Sequence, residues 1–125
     1  MIFDLRQEFF FEAAHTLTRE TEPESSRRIH GHTYHVEVAV RGQPDAATGM
    51  IIDLGDLRAR IQSVRDQLDH RFLDDVPGLG PPTLENLCRF ILLQMRKELP
   101  WLESVTVSRR ASGDSCTLRL DRARP

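Results

Sequence analysis

Residues 32–41 alternate so regularly that only one backbone conformation accommodates them. Tyr34, Val36, Val38 and Val40 fall on one side, and His35, Glu37 and Arg41 fall on the other. A side-chain period of two belongs to a β-strand with one face in a core and one face out. At the head of this strand stands His30-Gly31-His32. Positions i and i+2 of an extended chain point the same way, so His30 and His32 can reach one point in space, with no side chain at Gly31 between them. His35 is out of phase with the pair and is expected to pack on the sheet or face solvent.

Imidazole is the commonest protein ligand for zinc. His15 lies upstream and can complete a set of three with His30 and His32. Three protein ligands with one open position describe a catalytic zinc site rather than a structural one. The pattern therefore points to a metalloenzyme with Zn2+ as its cofactor.

The rest of the composition narrows the class by exclusion. A chain of 125 residues suits a single domain, expected over 1–125. The formal net charge of -2 gives no general pull toward nucleic acid or a membrane surface, and neither is expected as a partner. Cys88 and Cys116 make no disulfide framework and no CxxC pair. The start Met1-Ile2-Phe3-Asp4 has no basic, apolar leader, and no run is long enough to span a bilayer. A cytoplasmic setting follows as the expectation.

Along the chain, residues 2–12 read as a first strand, with Phe9, Phe10 and Phe11 interrupting simple alternation and allowing a bulge or burial on both faces. Residues 13–28 read as a long polar loop, and 42–49 as a turn. Asp53 or Asp56 caps a helix whose stripe is Leu57, Ile61, Val64 and Leu68. Residues 74–82 form a Pro/Gly-rich loop. Thr83 caps a second helix, with Glu85 in its first turn and Leu84, Leu87, Cys88, Ile91, Leu92, Met95 and Leu99 on its buried side; Pro100 stops it. Residues 104–108 and 116–120 read as the last two strands, joined by a hairpin turn at Gly113-Asp114. Residues 121–125 read as a frayed tail. The order ββααββ predicts an α+β layer, an antiparallel sheet with two helices on one face. Its open edges invite self-association.

Two further features carry chemistry. Asp69-His70 ends the first helix, where a carboxylate beside an imidazole can orient it for proton transfer. Thr83-Leu84-Glu85-Asn86 reads first as a helix start, and second as a pocket lined by first-turn amides and Glu85.

The segments Phe11-Glu12-Ala13-Ala14-His15, His30-Gly31-His32-Thr33-Tyr34, Gly49-Met50-Ile51-Ile52-Asp53, Leu68-Asp69-His70 and Pro82-Thr83-Leu84-Glu85-Asn86-Leu87 occur in this order. That series resembles the 6-pyruvoyl-tetrahydropterin synthase family, including its 6-carboxy-tetrahydropterin synthases. The resemblance spans nearly the whole chain. It implies the tunnelling fold, assembled as trimers around a β-barrel and stacked into hexamers, with active sites at subunit interfaces. It implies zinc on His15, His30 and His32, proton shuttling by His70 oriented by Asp69, and 7,8-dihydroneopterin triphosphate as substrate.

Two positions depart from the family's pattern. Its usual catalytic cysteine, four residues before His30, is Ser26 here, and a hydroxyl is a far weaker acid than a thiol. Glu24 or Glu22 could supply a carboxylate base in its place if the loop shifts. The family's usual pterin-anchoring glutamate falls on Arg109, or on Arg110 with a one-residue slip, and a guanidinium offers only donors. The favoured expectation is therefore a divergent zinc lyase or synthase. It would act on a non-pterin anionic small molecule, by enolisation, dehydration or aldol-type chemistry. The conventional pterin reaction and a catalytically inactive zinc-binding assembly subunit are the alternatives.

Overall fold

The computed structural model describes residues 1–21 and 23–120. Four antiparallel strands lie side by side in the order β1 (Phe3–His15), β2 (His30–Gly42), β3 (Leu102–Arg109) and β4 (Asp114–Arg119). A five-residue helix, α1 (Pro23–Arg27), interrupts the β1–β2 connection; α2 (Leu54–Leu68), a 3-10 turn at Leu73–Asp75 and α3 (Leu84–Arg96) lie between β2 and β3. The expected ββααββ frame holds. The tail 121–125 and Glu22 lie outside the described residues.

Both long helices start where capping chemistry dictates. The Asp53 carboxylate accepts from the Gly55 amide at 2.7 Å, and Thr83 Oγ1 accepts from the Asn86 amide at 3.1 Å. Asp53, not Asp56, is the cap of α2. Leu57, Ile61, Val64 and Leu68 of α2 are buried, as are Leu87, Cys88, Ile91, Leu92 and Met95 of α3. They pack on the sheet face carrying Phe11, Tyr34, Val36, Val38, Val40, Val105 and Val107. Phe11 and Tyr34 are fully buried and stack at 5.0 Å between ring centres.

The first strand has no bulge and follows the other expectation, phenylalanines on both faces. β1 pairs with β2 without a register break from Phe3↔Gly42 to His15↔His30. Phe9 and Phe11 face the core, and Phe10 faces the other side of the sheet beside His35. Three adjacent phenylalanines thus serve two faces. The irregularity lies instead at Ala39/Val40 in the β2–β3 pairing. β1 also runs three residues further than expected and β2 starts two residues earlier, so all three candidate ligands stand on paired strands.

The edge of β1 is covered over its second half. Asp69 Oδ1 accepts from the Glu12 amide at 3.0 Å, the His70 amide donates to Glu12 O at 2.6 Å, and the Ala14 amide donates to Arg71 O at 3.1 Å. Arg65 Nε donates to Phe10 O at 2.8 Å, and its guanidinium lies over the Phe10 ring. The segment after α2 is thereby fastened along the sheet, which fixes where His70 stands.

Phe11→Ala is expected to remove about 3–5 kcal/mol of stability, read as a lowered denaturation midpoint. A midpoint shift worth under about 1 kcal/mol would contradict the central packing role given to the Phe11–Tyr34 stack.

Candidate metal centre and active site

One end of the sheet carries the candidate residues almost in lateral order. His70 lies outside β1, His15 on β1, His30 and His32 on β2, Arg109 on β3 and Asp114 on β4. His15 Nε2 is 2.9 Å from His30 Nε2 and 3.0 Å from His32 Nε2. The three ligand atoms all lie within 4.8 Å of one another, and His15 is fully buried.

Backbone carbonyls fix two of the rings. His15 Nδ1 donates to Pro82 O at 3.0 Å, and His30 Nδ1 donates to Arg28 O at 2.7 Å. A carbonyl only accepts, so in these tautomers both Nδ1 atoms carry the proton and both Nε2 atoms present lone pairs. Two lone pairs 2.9 Å apart repel unless a cation lies between them. Zinc–nitrogen bonds at tetrahedral angles space nitrogens roughly 3.3 Å apart, so small ring shifts suffice. Orientation of ligand histidines by carbonyls is the usual second layer of a metal site. The donor set fits a zinc ion.

Electrostatics agree. Burial, and then the charges of His15 and Arg109, push the His32 imidazole down to about 4. Burial also lowers His15, with the Pro82 carbonyl opposing it. Neutral imidazoles are the ligating form. Beneath them, burial pushes the Tyr34 hydroxyl up to about 12, and it lies 3.4 Å from His15 Nδ1.

A cavity of about 350 Å3 opens beside the trio, with Ser26, His30, His32, Arg109, Ser112 and Asp114 among its walls. Its size suits a small molecule. Ser26, on α1, is buried, and its carbonyl accepts from the Leu17 amide at 2.7 Å, tying the loop to the end of β1. Glu24 stands on the outside of α1, paired with Arg28 at 3.0 Å. Arg110 is exposed and pairs with Glu8 at 3.4 Å, away from the cavity that Arg109 lines. Thr83 is the α3 cap and Glu85 is exposed in its first turn; their link to the site is the neighbouring Pro82 carbonyl.

Arg109 is not the open cation that the sequence implies. Its Nη2 lies 2.9 Å from Asp114 Oδ2, which also accepts from Ser112 Oγ at 2.7 Å. Asp114 begins β4 rather than sitting in the hairpin turn. The Gly113 amide donates to Arg109 O at 2.9 Å, Gly113 takes φ 78°, and the four-residue connection places Asp114 directly opposite Arg109. Directly opposed residues share a sheet face. Sequence reasoning passed over Asp114; the opposite charges flanking Arg110–Gly113 were its available signal.

Asp69 and His70 form the expected pair, with His70 Nδ1 2.9 Å from Asp69 Oδ2. The Glu12 amide foremost, then His70 and Arg65, hold the Asp69 carboxyl below the usual carboxylate range. His70 has φ 59°, a left-handed conformation that costs a non-glycine residue of order 1 kcal/mol. Its imidazole is largely exposed and opens onto a second cavity with Glu12 and His32, so His32 borders both openings.

This geometry defines a class: an antiparallel sheet with two covering helices and, at one end, three converging imidazoles that could hold a metal ion. The model of the 6-pyruvoyl tetrahydropterin synthase family matches residues 4–120, and the chain belongs to that family. It is 36% identical over 107 residues to the 6-carboxy-5,6,7,8-tetrahydropterin synthase of Synechocystis, covering 81% of each chain. It is 36% identical over 90 residues to the dihydroneopterin monophosphate aldolase of Pyrococcus furiosus, covering 72% of each. With the human 6-pyruvoyl tetrahydrobiopterin synthase it shares 41% identity over 75 residues, 57% of this chain and 52% of that protein. The Caenorhabditis elegans 6-pyruvoyl tetrahydropterin synthase superposes with a TM-score of 0.85 at 25% identity, covering 97% of both chains. The tunnelling fold is therefore the fold of this chain. All these relatives carry pterin names, and the expected shift to a non-pterin substrate finds no support among them.

The lowered His15 and His32 predict a pH signature. Their folded values lie below the unfolded value of 6.5, so the unfolded chain binds more protons once pH drops below it. The stability of metal-free protein is expected to be full above pH 6.5 and to fall as pH falls toward about 4. Denaturation midpoints across this range check it, with His32→Asn flattening the slope; a level wild-type profile would contradict the burial argument.

Proposed function

We propose that the protein is a zinc-dependent lyase or synthase of pterin biosynthesis, acting on the phosphorylated side chain of a 7,8-dihydroneopterin. The observation that carries the reading is the convergence of His15, His30 and His32 Nε2 atoms, two of them with fixed tautomers, beside a small-molecule cavity. Relatives named for 6-carboxy-tetrahydropterin synthesis and for dihydroneopterin monophosphate cleavage support a pterin substrate over an unrelated anion. The pairing of Arg109 with Asp114 removes the main reason for preferring the latter.

Bound zinc would supply Lewis-acid polarisation of the substrate's side-chain oxygens, easing loss of a proton from the neighbouring carbon. The protein's own residues do the rest. Asp69 holds His70 Nδ1–H, leaving Nε2 as the atom that takes and returns protons. Ser26 lines the cavity where its hydroxyl can hydrogen-bond the side chain. Glu24 reaches the site as a base only by movement of the 16–28 loop.

His70 lines one cavity, Ser26 and Arg109 line another, and His32 is in the wall of both. Self-association as a trimer or hexamer, bringing one protomer's His70 toward another's cavity, would complete the site. The open first half of β1 offers an edge for it. Free Cys88 and Cys116 suit a reducing, cytoplasmic setting.

Zinc-loaded protein is expected to convert 7,8-dihydroneopterin triphosphate or monophosphate, followed by product mass. His70→Ala should lower kcat by at least about a hundredfold with zinc content unchanged by elemental analysis. No turnover of either substrate by zinc-loaded wild type would overturn the reading.

A further inference from the structure

We infer that Asp114 is the residue that selects the ligand's ring, by accepting hydrogen bonds from the amino-pyrimidine edge of a pterin; this rests on the pterin reading above. A pterin presents two adjacent donors, the 2-amino group and the ring N3–H, followed by the 4-oxo acceptor. Such an edge needs a carboxylate beside a donor. The cavity next to the histidine trio holds one such carboxylate–guanidinium pair among its lining residues, Asp114 with Arg109.

The hydrogen bonding of the pair leaves the right groups open. Asp114 Oδ2 is occupied by Arg109 Nη2 and Ser112 Oγ, whereas Oδ1 meets no donor among the described residues. Asp114 is nearly half exposed, so a ligand can reach it, and Arg109 is one-fifth exposed. Arg109 Nη1 has no partner among the described residues and can donate to the 4-oxo group. Ser112 foremost, and Arg109 after it, hold the Asp114 carboxyl below the usual carboxylate range, so it stays an acceptor at neutral pH. The strand register Arg109↔Asp114 keeps both side chains on the sheet face that His32 and Tyr34 share, so a ring bound there extends its 6-substituent toward the imidazoles.

Pterin and lumazine test this, because they differ in a 2-amino against a 2-oxo group. Binding to zinc-loaded protein is read from their fluorescence. Wild type is expected to prefer pterin by at least about tenfold, the scale of a charged hydrogen bond. Asp114→Asn should lose that preference, with zinc content and denaturation midpoint showing an intact fold, and Asp114→Glu should keep it. Asp114→Ser removes the carboxylate by a different side chain and carries the same expectation as Asn. If wild type turns over a dihydroneopterin phosphate yet Asp114→Asn or Asp114→Ser retains the pterin preference, the assignment fails alone. If wild type neither binds a pteridine nor turns one over, the parent reading fails and the assignment with it.

Discussion

Everything at the functional end of the sheet depends on where three imidazole nitrogens point. Backbone carbonyls of Pro82 and Arg28 hold the far nitrogens of His15 and His30, and so commit the near ones to act as lone-pair donors. Without a cation, that arrangement concentrates like dipoles in a buried place. The depressed basicity of His15 and His32 expresses the same constraint from the side of the protons. His15 and His32 are thus held neutral and electron-rich before any ligand arrives.

The constraint is met because one alternating strand serves core and site together. Along β2, His30 and His32 give way to Tyr34, Val36, Val38 and Val40 on one face. The ligands therefore inherit the rigidity of a packed core through Tyr34, which stacks on Phe11 and touches His15. Helix α3 enters the same logic at its other end. Thr83 caps it, and the residue before the cap supplies the carbonyl that orients His15. A capping motif that reads as ordinary helix punctuation is also a fixed point of the candidate metal centre.

The frame and the trio were legible because they are written in periodicity. Strand alternation, the two apolar helix stripes and the His-Gly-His spacing are local patterns with one physical solution each. What was missed depends on register or on backbone atoms. The Phe9–Phe11 run allows a bulge or two-faced packing, and register alone decides it: the strand stays regular, with Phe10 half exposed beside the Arg65 guanidinium on the second face. Gly113-Asp114 reads as the turn itself, whereas the connection 110–113 leaves Asp114 at the start of β4 and in the cavity wall. Without that partner Arg109 reads as a bare cation that favours an anionic ligand. The carbonyls of Pro82 and Arg28 have no side-chain signature at all.

The charge balance then connects substrate class to fold. Arg109 and Asp114 offset each other, and burial holds His32 neutral, so the β3–β4 wall of the cavity carries little net charge. On the pterin reading proposed above, this wall suits a neutral ring better than a phosphorylated tail. Had Arg109 stood unpaired, repulsion between it and a dication beside His32 would have opposed metal binding. The ion pair across the β3–β4 hairpin therefore makes the candidate metal centre and a guanidinium compatible within one small cavity.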